Sequence, residues 1–333
     1  MAVGRGIEGL FGVKKASTWG TSVAVGASNC GFRPIVGSWM WDETPEPLPD
    51  MSFNADAHRR ARTFTGRYDV AGKFAVEAKY DGLDTLIALM LGTAGVPSGG
   101  GAPYTHTIYR KNDMTGIFFS LGWYDGIKTH EIDSAKFDEM KISGTAGRVL
   151  RYDFSWFGRL RSENTATNAN LSSLTENSTI AEVQWLNSTI TYQIAAFASS
   201  LAAFTPLDWE VTFKAPYNKD AARTSEYILE PHRGDVDVTG AFGIPYEATT
   251  LISAAKSGAQ YKGKLVHTVG SLQHNIWLPS ITFEKADMPM QDKSSMTKRL
   301  TFRAEKAAST PSTFSQAVPY VELLNNNSAN PLA

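Results

Sequence analysis

The chain has 333 residues, enough for two domains of ordinary size, and its 42% apolar and 20% charged residues mark it as folded and not disordered. Its 32 Lys and Arg nearly cancel 33 Asp and Glu, and a formal charge of −1 argues against a basic surface that grips nucleic-acid phosphates. A single cysteine, Cys30, excludes an intramolecular disulfide, and no apolar stretch has the length of a secretory signal or a membrane span, so the chain is expected to be made and kept in the cytoplasm.

After an N-terminal arm the chain reads Ser38-Trp39-Met40-Trp41 and then an acidic, proline-rich segment over 42–50. Three prolines in five residues (Pro45, Pro47, Pro49) predict a loop projecting from a sheet. Phe64, Gly66, Tyr68, Val70, Gly72, Phe74 and Val76 alternate, the period of a half-buried strand over 62–76. Leu83, Leu86, Ile87 and Met90 fall at helical spacing, and Gly92 can end that helix in the left-handed conformation. Strands are predicted over 104–110 and 117–124, then a long hairpin of 128–142 with 149–159 that turns at Gly144-Thr145-Ala146-Gly147. Residues 162–179 are rich in Ser, Asn, Thr and Glu and form the best interdomain linker. Beyond it, strands are predicted near 189–195, 208–214, 227–230 and 236–244. A helix near 248–256 and strands at 264–269, 272–277 and 297–305 follow. The stretch 309–333, with Asn325-Asn326-Asn327, reads as an arm or a disordered end.

The order repeats itself. Asp69-Val70-Ala71-Gly72-Lys73-Phe74-Ala75-Val76 is answered by Asp237-Val238-Thr239-Gly240-Ala241-Phe242-Gly243-Ile244, and each is followed by an aromatic-acidic pair, Tyr80-Asp81 and Tyr246-Glu247. Ile132–Phe137 matches Leu278–Phe283, and Tyr152, Phe154 and Trp156 match Lys298, Leu300 and Phe302. Such a duplication predicts two copies of one mainly β domain, each with a flanking helix: 1–162 with the arm, a linker at 163–179, 180–308, and a tail at 309–333.

Chemistry has little support in the motifs. Gly4-Arg5-Gly6-Ile7-Glu8-Gly9 spells a nucleotide-binding pattern, but no strand can precede it, so its glycines have no phosphate to cradle. Cys30 reads as a small core or turn residue. The six histidines, His58, His106, His130, His232, His267 and His274, show no metal-ligand spacing, and the carboxylate pairs Asp42/Glu43 and Asp138/Glu139 read as solvated charges. No catalytic residue, metal or cofactor is expected. Trp39 and Trp41 stand apart: aromatics on a projecting loop can anchor an interface or fold back on the domain.

The second half resembles the duplicated, two-domain tail tube proteins of long-tailed, siphovirus-like bacteriophages. The likeness runs through Trp185-Leu186-Asn187, Asp208-Trp209-Glu210-Val211-Thr212-Phe213, Tyr227-Ile228-Leu229-Glu230, 234–242, Ile276-Trp277-Leu278-Pro279-Ser280-Ile281 and Ala286-Asp287-Met288-Pro289-Met290. The first half resembles the same module through 66–76, the helix ending at Gly92 and the 132–159 hairpin. The resemblance implies tandem β-sandwich domains that assemble into a ring with an inner β-barrel, six domains giving four strands each. Twenty-four strands at ~4.8 Å make a wall roughly 37 Å across before tilt, wide enough for a DNA duplex.

It further implies a virion tail protein, assembled in the host cytoplasm, that polymerises into stacked rings as the conduit for DNA ejection. Three chains per ring as a pseudo-hexamer are expected, with a tape-measure protein and a tail terminator as partners, DNA only in transit, and no membrane. Two segments occupy corresponding places before Gly72 and Gly240 and are expected to touch the neighbouring ring: Trp39, Trp41, Asp42, Glu43, Glu46 and Asp50 in one, Tyr217, Lys219, Asp220 and Arg223 in the other. The alternatives are a two-domain β-sandwich binding module of a baseplate or adhesion apparatus, using Trp39 and Trp41, and a β-sandwich hydrolase.

Overall fold

The computed structural model describes residues 9–26, 30–49, 63–93, 97–177, 182–186, 188–219, 227–245, 251, 253, 257–287 and 297–332. The first half holds β1 (Phe11–Ala16), β2 (Gly31–Phe32), β3 (Met40–Pro49), β4 (Thr63–Glu77), the helix α1 (Asp84–Leu91), β5 (Tyr104–Tyr109), β6 (Phe118–Tyr124), β7 (Thr129–Thr145), β8 (Arg151–Gly158) and β9 (Arg161–Glu163). The second holds β10 (Thr189–Ala196), β11 (Ala202–Ala203), β12 (Asp208–Lys214), β13 (Tyr217–Asn218), β14 (His232–Arg233), β15 (Asp237–Pro245), β16 (Gln260–Val269), β17 (Leu272–Asp287), β18 (Thr297–Glu305) and β19 (Tyr320–Asn325). All described strands but β13 and β14 join one hydrogen-bonded network.

Two long strands organise it. The first part of β7 pairs with β6, and its last part pairs with β12. The first part of β17 pairs with β16, and its last part runs along β18. In both strands a register shift marks the change, between Phe137 and Glu139 against β8 and between Phe283 and Lys285 against β18. A bulge bends a strand and increases its twist, which lets one chain segment serve two layers.

One row of eight strands results, in the order β3-β4-β8-β7-β12-β15-β18-β17. Alternation puts Phe74, Val76, Tyr152, Phe154, Trp156, Met140 and Ile142 on its buried side, continued by Trp209, Val211, Phe213, Phe242, Leu300 and Phe302. Gly72 faces Trp156 across the β4–β8 ladder, and Gly240 faces Phe302 across β15–β18. A Cβ at Gly72 would lie 2.5 Å from the Trp156 ring, and one at Gly240 would lie 2.3 Å from that of Phe302. The repeated glycine is therefore the space that a repeated aromatic fills.

α1 is buried along nearly its whole length and ends at Gly92, whose φ of 91° is left-handed and whose N–H donates to the Ala88 carbonyl at 2.7 Å. In the corresponding stretch of the second half, Leu251, Ser253 and Ser257 are helical, and the remaining residues of 248–256 lie outside the described set.

Four expectations need correction. The proline-rich segment is no loop up to Pro49: it is the strand β3, paired with β4 from Met40↔Lys73 to Pro49↔Thr63. Proline is tolerated because among the described residues β3 has a partner on one side alone, and a register shift falls between Pro45 and Pro47. The N-terminal arm enters the sheet at Phe11, where β1 pairs with β6 and β2. The 309–333 stretch folds back: β19 lies between β17 and β5, its asparagines closing local turns (Asn327 N to Asn325 Oδ1 at 3.0 Å, Ala329 N to Asn327 Oδ1 at 2.9 Å, Leu332 N to Asn330 Oδ1 at 2.9 Å). Asn327 Nδ2 also donates to the buried carboxyl of Asp84 at 2.6 Å. Tyr227–Glu230 belongs to none of the strands. It is held by side chains of the first half instead, Trp19 Nε1 donating to the Ile228 carbonyl at 3.0 Å and Lys136 Nζ to Glu230 Oε1 at 2.9 Å.

Of the polar 162–179 stretch, the described residues 162–177 pack on the first half. Leu171 and Asn168 are buried there, and Asn168 receives the Val25 N–H at 2.9 Å while donating to Glu131 at 2.6 Å.

Candidate functional site

The eight-stranded row offers one polar face and two ends. On the face away from the core, alternation places the cations Lys73, Lys141, Arg151, Lys214, Arg299 and Arg303. Among them stand more carboxylates: Asp42, Asp69, Glu77, Glu139, Asp153, Asp208, Glu210, Asp237, Glu284 and Glu305. Most of these cations are bound to an acid of the same face. Lys141 meets Glu210 at 2.5 Å, Arg151 meets Asp153 at 2.5 Å, Lys214 meets Glu139 at 4.0 Å, Arg303 meets Glu284 at 3.4 Å, and Arg299 bridges Glu210 and Asp208. Burial works to raise the Glu210 carboxyl, yet hydrogen bonds from Lys141 and Arg299 hold it below the usual carboxylate range. Such a face carries charge while most of its cations are already held by acids and not by a polyanion.

The middle of the row is the seam between the halves. β7 and β12 pair antiparallel from Glu139↔Lys214 to Thr145↔Asp208. Past its end, the Ala215 N–H donates to the Asp138 carbonyl at 2.7 Å. Among the described residues, β3 shows an open edge on the side away from β4 at one end of the row, and β17 shows one beyond Thr282, the last of its residues paired with β16, at the other.

The residues expected at an inter-ring contact divide. Trp39 turns inward, with ring centroids 5.0 Å from Phe11, 5.9 Å from Phe74 and 5.4 Å from Trp123. Trp41 keeps 38% exposure, with Trp123 at 5.8 Å and the Arg161 guanidinium 4.9 Å over its ring. Glu43 is ion-paired with Arg161, which also donates to His130 Nδ1 at 2.9 Å and Glu163 Oε1 at 2.7 Å. Asp42 is exposed on the polar face. Glu46 contributes its backbone to β3, and Asp50 lies outside the described residues. In the second segment Tyr217 packs on Phe157 at 5.2 Å, its phenol pushed up to about 12 by burial, and Lys219 Nζ sits 4.2 Å over the same ring. Asp220 and Arg223 also lie outside the described residues.

The structure brings Trp41 and Glu43 together around Arg161 and sets Tyr217 and Lys219 against β8. Sequence reasoning missed the polar face, although its signal was present: in Asp208-Trp209-Glu210-Val211-Thr212-Phe213-Lys214 every second residue is polar and three of the four are charged. Among the described residues, no group of three or more His, Cys, Asp or Glu could hold a metal ion.

Fold and face together define a structural sheet protein, whose distinctive surfaces among the described residues are an acid-rich polar face with mostly paired cations and two open strand edges. The chain belongs to the phage tail tube protein family: that family's model matches residues 6–304. It is thereby a structural component of the virion tail and one of a class that self-assembles into a tube. No curated protein matches the chain.

Proposed function

We propose that this chain is the major tail tube subunit of a long-tailed phage, a duplicated module of which three copies close into one ring and successive rings stack into the conduit for DNA ejection. One observation carries the reading. Each half gives the row four strands in the same order, β3-β4-β8-β7 and then β12-β15-β18-β17, and the two quartets already join edge to edge through β7 and β12. Three chains then supply 24 strands, a wall roughly 37 Å across before tilt. The polar face is the lining, and its paired cations leave the passing phosphates little to hold. Assembly in the host cytoplasm around a tape-measure protein, ended by a terminator, completes the proposal. Negative-stain micrographs of the concentrated protein test it: rings or tubes are expected, and a preparation of monomers alone would count against it.

The charge pairing makes DNA a passenger. In a filter-binding assay at moderate salt the protein should show no affinity tighter than roughly 10⁻⁴ to 10⁻⁶ M. Nanomolar, steeply salt-dependent binding would contradict the lining. Changing Glu210 and Asp153 to Lys, which frees Lys141 and Arg151 and leaves Arg299 with Asp208 alone, should strengthen binding and steepen its salt dependence.

The β3–β4 hairpin supports a contact between rings, because its pairing continues past the length of β12 to Pro49↔Thr63. Replacing residues 46–67 with an Asn-Gly turn between the ladder partners Pro45 and Tyr68 should leave the rest of the row in place and rings intact while tubes become short. Tubes of normal length from that variant would remove the arm from the inter-ring contact.

A further inference from the structure

Building on the ring reading, the two open edges of the row can be assigned to each other. Matching positions follow from shared partners: Trp41 faces Gly72 where Val211 faces Gly240, and Glu139 faces Ser155 where Lys285 faces Thr301. By this correspondence β3 stands where β12 stands, and the end of β17 stands where the end of β7 stands. The seam between β7 and β12 is thus a template for a contact that the two ends of one chain cannot make with each other along a single row.

We propose that the open edge of β3 pairs antiparallel with the open edge of β17 of a neighbouring copy, in the register of the β7–β12 seam, so that Thr44 lies opposite Lys285 and Asp42 opposite Asp287. The internal pairs Lys214↔Glu139 and Thr212↔Lys141 transfer to these positions. The contact is head-to-tail, one edge on each side of every copy, which is the arrangement that closes into a ring.

Two further observations favour it. Val211 is fully buried at the seam, whereas Trp41 at the matching place keeps 38% exposure, a large aromatic left open where its counterpart is covered. The prolines also begin where the seam ends. Ala215, the first residue past β12, sends its N–H to Asp138 across the seam, and the matching residue is Pro45, which has no N–H to give. The inter-copy ladder therefore stops at Thr44, and Pro45, Pro47 and Pro49 keep the rest of β3 from pairing with a further strand.

Cysteine pairs test the register. In a Cys30→Ser chain, Asp42→Cys with Asp287→Cys should form disulfides between copies in assembled tubes, because directly opposed antiparallel residues lie within disulfide range. Thr44→Cys with Lys285→Cys is the second pair in register, used if the first does not assemble. Non-reducing gels should show covalent dimers and trimers that reducing agent dissolves, at least fivefold more than from the pair Asp42→Cys with Ala286→Cys, which is slipped by one residue from the proposed register. Tubes seen in micrographs with in-register pairs linked no better than the slipped pair would overturn the register while leaving the ring reading standing. Absence of rings from the unmodified protein would overturn both.

Discussion

Lowering the pH from 6.5 to 4.5 is expected to remove about 4 kcal/mol of folding stability through two histidines, His267 and His274, that face each other across the β16–β17 ladder. Both are buried, and burial holds His267 down to about 4 and His274 down to about 3, the latter helped by its neighbour. Their Nε2 atoms meet hydroxyls, Tyr192 at 2.8 Å and Tyr152 at 2.6 Å. Trp209 Nε1, which can only donate, gives a hydrogen bond to the Tyr192 oxygen at 2.9 Å, and burial keeps the His267 ring beside it neutral. In the unfolded chain both titrate near 6.5. Below that pH the unfolded state binds protons that the folded state refuses, so stability falls as pH falls, until the folded rings titrate.

Asp84, Asp133 and Asp138 act in the opposite sense, since burial raises their carboxyls in the folded chain. The histidine share is isolated by His267→Gln with His274→Gln. Denaturant unfolding at pH 6.5 and 4.5 should show a loss in the parent that the double variant largely lacks, and equal losses would contradict the assignment.

The second large effect concerns the clasp between the halves. Lys136 on β7 is buried, its Nζ donating to Glu230 Oε1 at 2.9 Å, the Met114 carbonyl at 3.0 Å and the Pro231 carbonyl at 3.4 Å. Burial lowers the Lys136 ammonium, and Glu230 is the main group that works against that. Glu230 also takes the Gly116 N–H at 2.7 Å. Glu230→Ala strands a buried cation, and about 3–5 kcal/mol of stability should be lost, nearer the lower figure because Glu230 keeps 23% of its side chain in water. Removing both charges with Lys136→Met and Glu230→Leu should recover most of that loss. Denaturant midpoints decide, and a Glu230→Ala chain within 1 kcal/mol of the parent would mean that the pair does not hold the segment.

The local parts of the fold were legible in the sequence because their signals are local. Alternation from Phe64 to Val76 yields β4, and Gly92 ends α1 by backbone geometry alone. The matched glycines Gly72 and Gly240 were visible in the sequence, but not their purpose, since Trp156 and Phe302 arrive from strands far along the chain. β3 was hidden by its prolines, which exclude a central strand and say nothing against an edge. β19 was hidden by asparagines whose amides are spent on turns and on Asp84. Trp39 and Trp41 are alike in sequence, and packing alone separates the inward ring from the exposed one. The polar face was the largest omission: its pairs join residues from different strands, such as Lys141 to Glu210, and no local pattern records which charges will meet.

Averaged cryo-electron micrographs of the assembled tube measure the proposed architecture most directly. Three chains per ring, with threefold symmetry, six similar lobes and an inner wall of 24 strands, are the result predicted from two joined quartets per chain. Rings of six chains with true sixfold symmetry would contradict it.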